Sequence, residues 1–228
     1  MGLPKLVDKD KNRNYSFENQ LEGVNFVKYP SVTTILKVLD KPGLDRARGY
    51  LGNAEMDKRS AISTGKGTKL HSFIEGYFKG KTPAGIVDKE VSLAYQNFLT
   101  WIKVEEKREL DETIVYDFKT CKYGADVDSN YWLQLMAYAE LVYLWRAELP
   151  EGFSSEVPLY TNHVRYAGTI DLVRHNPQVD AKPSVMLVML PKDKLVDITD
   201  IEIARPYEES KFQAFKHLRN YYWYTYGV

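Results

Sequence analysis

The sequence predicts one folded unit of the α/β or α+β class. Three observations point there. Segments patterned as strands and as helices alternate along the 228 residues. Apolar residues make up 44% and aromatics 13%, enough to fill a core and far from a disordered composition. No internal repeat or low-complexity tract interrupts the pattern, so a single domain spanning 1–228 is the simplest division.

Met1 to Tyr29 reads as a polar, weakly patterned N-terminal extension, in which Phe17, Val24, Phe26 and Val27 could form a short strand or hairpin. After Pro30, SVTTILKVLDKPG offers Ser31 or Thr33 as an N-cap and Ile35, Leu36 and Leu39 as apolar positions. Pro42 and Gly43 stand as a stop, which predicts one short helix. TGKGTKLHSFIEGYFKGK passes from a glycine-rich turn into a helix with Leu70, Phe73, Ile74, Tyr77 and Phe78 on one stripe, ended by Gly80. Lys89 to Lys107 repeats the helical spacing through Val91, Ala94, Tyr95, Phe98, Leu99 and Ile102.

Thr113 to Thr120, TIVYDFKT, is β-branched and aromatic and predicts a strand. Asn130 to Trp145 predicts a largely buried helix, broken by Pro150 and Gly152. EVPLYTNHV and YAGTIDLVRH predict two more strands, and Val185 to Asp193 an interior one because its apolar run is unbroken. An aromatic-rich helix closes the chain from Pro206 to Tyr226.

Lys plus Arg (31) balances Asp plus Glu (31), so no global field favours a polyanion and any nucleic-acid affinity must be local. The single cysteine, Cys121, excludes an intrachain disulfide framework and an all-cysteine metal site, and suits a reducing compartment. No segment approaches the roughly 20 apolar residues of a membrane span, and the N-terminus lacks an apolar core of signal-peptide length. A cytoplasmic protein with no membrane partner is expected.

The chemistry concentrates in a few positions. Residues two apart on a strand share a face, so Asp117 and Lys119 of DFK project together while Phe118 faces away. A hard divalent cation wants more than one carboxylate, and GTIDLV supplies Asp171 on an apolar strand, where an unpaired charge is costly. Gly168 ahead of it leaves room for a backbone or a phosphate. His71 and Glu75, four apart, share a helical face, as do Gln134 and Tyr138.

Together GTxxH, GxxD, DFKT and QxxxY resemble the PD-(D/E)xK nuclease superfamily in its RecB-type exonuclease branch, which includes many phage and recombination nucleases. SVTTIL with KPGL is similar to small members of that branch, and the resemblance spans about Ser31 to Asp193. It implies a restriction-endonuclease-like α/β core, a central mixed β-sheet flanked by helices. It further implies that Asp171 and Asp117 hold Mg²⁺ or Mn²⁺, with the Phe118 carbonyl and His71 as further ligands and Glu75 and Glu156 as outer-shell candidates. Lys119 would orient or deprotonate the attacking water, and Gln134 with Tyr138 would position Lys119 and the substrate. The implied activity is a metal-dependent deoxyribonuclease, an exonuclease rather than a site-specific endonuclease, acting in recombination, repair or replication on single-stranded DNA or free DNA ends.

One feature departs from the family: GxxD normally precedes DxK, whereas here DFKT and QLMAY precede GTIDLV. Exchanging about 109–155 with about 156–183 restores the usual order, so the connectivity reads as permuted. A natural permutation, an engineered rearrangement and segments assembled out of order all fit.

Plainer explanations exist for each residue. Asp117 and Lys119 could be an ion pair on an edge strand, Asp171 a solvated strand end and Glu75 an ordinary helical carboxylate. His71, Gln134 and Tyr138 could be simply hydrogen-bonded. His163, His175 and His217 match no motif and read as surface residues, and Cys121 has no partner that would make it a nucleophile. The tyrosine- and tryptophan-rich tail could stack on bases, with core packing or a subunit contact as the alternative. Against the nuclease stand two other functions: a non-catalytic nucleic-acid-binding or scaffold module on the same fold, and a hydrolase of small phosphate esters.

Overall fold

A computed structural model describes residues 2–10, 14–18, 26–39, 42–83 and 85–226. The N-terminal segment is more regular than its composition suggests. Strands β1 (Leu6–Lys9), β2 (Asn14–Glu18) and β3 (Phe26–Pro30) form an antiparallel sheet in that order. Tyr15 and Phe17 of β2 point the same way and pack, with Tyr29, on Tyr160 and Ala167 of the main body. Phe17 therefore does lie in a strand; Val24 is outside the described residues.

The predicted helix after Pro30 is shorter. Ser31 caps α1 (Val32–Ile35), its hydroxyl accepting the Thr34 N–H at 3.0 Å, and a 3₁₀ turn follows over Leu36–Val38. Pro42 is not a stop but opens α2 (Pro42–Leu51), since a proline at the first helical position gives up an N–H that would go unbonded anyway. The glycine-rich turn is also absent: Gly65 and Gly67 lie inside α3 (Asn53–Phe78), a helix of 26 residues. It absorbs a penalty of about 1 kcal/mol per glycine because Leu70 and Ile74 anchor its second half in the core. Past Phe78 the chain turns through Gly80 at φ 68°.

Next come α4 (Lys89–Glu105), β4 (Ile114–Cys121), α5 (Ser129–Trp145), β5 (Gly152–Thr161), β6 (Tyr166–His175), β7 (Ser184–Pro191), β8 (Glu202–Arg205) and α6 (Glu209–Tyr226). Asp88 and Asp128 cap α4 and α5 through their carboxylates. The main sheet runs β5-β6-β4-β7-β8, with β4 parallel to β7 and the other neighbours antiparallel. The architecture is thus a mixed five-stranded sheet flanked by helices, as predicted at that level, with β8 unforeseen.

Alternation along the central strands sorts two cores. Val115, Val185, Leu187 and Met189 meet α5 and α6 through Leu135, Met136, Leu141, Phe212 and Phe215. Tyr116, Phe118, Met186, Val188 and Leu190 meet α3 and α4 through Leu70, Ile74, Phe98, Trp101 and Ile102. Beside the second core, fully buried Glu105 accepts from the Tyr116 hydroxyl at 2.5 Å and from Arg174 at 3.1 Å, and pairs with Arg108 at 3.0 Å. His175, expected at the surface, is instead buried, its Nδ1 3.1 Å from the Thr113 hydroxyl; His163 and His217 are exposed. No helix among the described residues is long and apolar enough to cross a membrane.

Candidate metal centre

The site grows from a fork in the sheet. Strands β4 and β6 pair over Ile114–Tyr116 and then part at Asp117, while Ser31 makes a parallel bridge to Ala167 on the diverging strand. At the branch point the Asp171 carboxylate accepts the Phe118 N–H at 2.9 Å, taking the place of a strand partner. A cavity of about 540 Å³ opens there, walled by α3 on one side and by the β1–β2 hairpin on the other. Asp117, Lys119, Asp171, His71, Gln134 and Tyr138 all line it, so widely separated segments converge as expected, whatever their chain order.

Asp117 is 1% exposed and faces Lys119, whose ammonium lies 2.6 Å from its Oδ2. Gln134 Nε2 donates to Asp117 Oδ1 at 3.1 Å and lies 3.2 Å from the Tyr138 hydroxyl, which accepts a second bond. Burial pushes the Asp117 carboxyl up to about 6, Lys119 pulling it back and Asp171 adding to the rise. Burial works against the Lys119 ammonium too, but the carboxylates of Asp117 and Asp171 outweigh it and hold it above the ordinary lysine range. A solvated surface ion pair is excluded, since Asp117 is buried.

His71 is oriented by β4. Its Nε2 lies 3.1 Å from the Phe118 carbonyl, leaving Nδ1 3.5 Å from Asp171 Oδ1. With Nε2–H donating, Nδ1 presents a lone pair to the carboxylates, the arrangement that fixes a ligating histidine. The Phe118 carbonyl is therefore first of all the acceptor that sets this ring. Glu75, one turn further along α3, is ion-paired with Lys79 and does not line the cavity.

Glu156, an outer-shell candidate on sequence grounds, stands in the ligand cluster itself. It stands between the pairs Ser155↔Leu172 and Val157↔Ile170, directly opposite Asp171. Its φ is 51°, in the left-handed region that side chains rarely adopt. Burial and the Asp171 charge push its carboxyl up to about 7. Ligand atoms of His71, Glu156 and Asp171 lie within 4.8 Å of one another. Like charges directly opposite on paired strands are destabilising, and one imidazole nitrogen with two carboxylate oxygens is a donor set that suits a divalent cation. The residues fit such an ion, and Asp117, held by Lys119 and Gln134, stands beside the trio rather than within it.

Other lining residues carry no motif. Tyr131, one turn before Gln134 on α5, places its ring 5.1 Å from the Lys119 ammonium, and Lys9 and Tyr15 come from the N-terminal sheet. Helical spacing from Gln134 could have flagged Tyr131; nothing local flags Lys9. Gly168 serves packing and not ligand approach, for a Cβ there would lie 2.5 Å from a Tyr138 ring carbon. Cys121 is an inert thiol, pushed up to about 11 by burial and by Asp193. Compared with protein-family models, curated protein sequences and solved structures, the chain finds no match in any of the three.

Proposed function

We propose that the chain is a metal-dependent deoxyribonuclease with a restriction-endonuclease-like core of the PD-(D/E)xK type, removing nucleotides from unpaired or free DNA ends with Mg²⁺ or Mn²⁺. The observation that supports it most is the facing pair Glu156 and Asp171, closed by His71 and set beside the buried Asp117–Lys119 pair. Bare, this cluster of carboxylates is a costly arrangement; around a cation it becomes a favourable one.

His71, Glu156 and Asp171 would hold a divalent ion, which would supply Lewis acidity and an acidified water to phosphodiester hydrolysis. The protein's own groups do the positioning. Lys119 stays an ammonium, which favours its orienting a water or a phosphate oxygen over its removing a proton. Gln134 holds Asp117, and Asp117 in turn holds Lys119, so the ammonium is fixed before substrate arrives. Tyr138 closes the floor behind Gln134.

The test is cleavage of labelled single- and double-stranded DNA with Mn²⁺, Mg²⁺ or EDTA, beside Asp117→Ala and Lys119→Ala. Metal-dependent release of nucleotides, lost in both variants, is expected. Binding without cleavage would leave the non-catalytic module, and turnover of nitrophenyl phosphate in place of DNA would leave the small-ester hydrolase.

A further inference from the structure

Lys9 lies far from every motif in the sequence, yet its side chain reaches the same cavity as His71 and Asp171. It is opposite Tyr15 across the β1–β2 pair, and its ammonium sits 4.8 Å from the centre of the Tyr15 ring. That ring is fixed: Tyr15 is buried, stacked on Phe17, and its hydroxyl accepts from Thr169 at 3.1 Å, two residues before Asp171. Asp10, next along the chain, is tied to the start of β2, accepting from both the backbone and the side-chain nitrogen of Asn14 at 2.9 Å. Nearby cations are engaged, Lys5 with Glu18, Lys28 with Asp10 and Lys119 with Asp117, whereas exposed Lys9 makes no contact ion pair among the described residues, though its charge is felt by Glu156 across the cavity.

A cation resting on a fixed ring with no contact ion pair, at the rim of a slot floored by carboxylates, is free to take an anion that enters with the ligand. We infer that Lys9 is a substrate-positioning residue that grips a backbone phosphate of the DNA strand next to the one being cleaved, with the Tyr15 ring as its platform. This rests on the nuclease proposal above. The N-terminal sheet is then one jaw of the substrate slot, and the ammonium offsets the repulsion between the strand and the acidic floor. Pre-fixing by the ring reduces the ordering that a free lysine would lose on binding.

The test is the salt dependence of binding a fluorescent unpaired oligodeoxynucleotide with Mn²⁺, measured on the Lys119→Ala chain with and without Lys9→Ala. Steady-state cleavage by the chain with native Lys119 is measured in parallel. One phosphate contact contributes about 0.7 to the log–log salt slope of a single strand, so raising salt from about 50 to about 200 mM weakens the parent about 2.6-fold more than Lys9→Ala. In cleavage, Lys9→Ala raises KM and leaves kcat unchanged, Lys9→Arg restores KM, and Lys5→Ala, just before the same strand but paired with Glu18, has no effect. Equal slopes and equal KM in a chain that cleaves would overturn the role of Lys9 and leave the nuclease standing. A Lys9-dependent slope without cleavage would keep the phosphate contact and overturn the catalytic proposal. Neither binding nor cleavage would overturn both.

Discussion

Replacing Glu156 with glutamine removes one of two carboxylates that face each other across β5 and β6 while keeping the side chain's size. Raising a carboxyl from 4.5 to about 7, at about 1.4 kcal/mol per pH unit, costs the ionised metal-free chain about 3 kcal/mol, an upper figure because water reaches part of the group. The folded pKa lies above the unfolded one, so the penalty is absent below about pH 4.5 and grows until the pH passes about 7. Glu156→Gln is therefore more stable than wild type at pH 8 in EDTA, by about 2 to 3 kcal/mol. In a chain of this size that raises Tm by about 4 to 12 °C. The gain disappears near pH 4. Mn²⁺ reverses the order, since the wild type gains the binding free energy of the ion and the variant gains less of it. The assay is differential scanning calorimetry at pH 4 and 8, with EDTA or Mn²⁺. A variant no more stable than wild type at pH 8 in EDTA, or one raised equally by Mn²⁺, would refute the idea that facing carboxylates are strained until a cation joins them.

Further outcomes follow from the same geometry. Mn²⁺ affinity measured by calorimetry falls as the pH drops below about 7, because protons increasingly occupy Glu156; an affinity flat from pH 8 to 5.5 would remove Glu156 from the site. Gly168→Ala drives a Cβ against Tyr138 ring carbons and costs about 1 to 3 kcal/mol in urea unfolding. Tyr138→Phe does not relieve it, because the clash is with the ring and not the hydroxyl. Glu105→Gln strips the counter-charge from Arg174 beside the second core and leaves Arg108 with Glu202 alone, and costs about 3 to 5 kcal/mol, again by urea unfolding.

The central elements were legible because their patterns are physical consequences of burial. β7 shows an unbroken apolar run since both its faces are covered, and α4 shows a clean stripe since only one is. DFKT gave Asp117 and Lys119 a common face, and the fork placed Asp171 beside them despite the unusual order of segments. The order was less informative than it looked, because neighbours in the sheet are set by pairing: β4 lies between β6 and β7, both of which follow it in the chain. Glycines misled in both directions. Gly65 and Gly67 suggested a turn that the long helix overrides, and Gly168 suggested ligand access where an aromatic ring fills the space. Glu156 read only as an outer-shell candidate and Lys9 as nothing in particular, because the place of each depends on a partner strand, Asp171 for one and Tyr15 for the other. His175 reads as a surface residue until Thr113, 62 positions away, is placed beside it.

The most direct test of the proposed centre is an anomalous difference map from crystals of the chain soaked in Mn²⁺. The proposal predicts a peak among the side chains of His71, Glu156 and Asp171, on the Lys119 side of the fork. A map with no peak there, or with manganese bound only elsewhere on the chain, would contradict it.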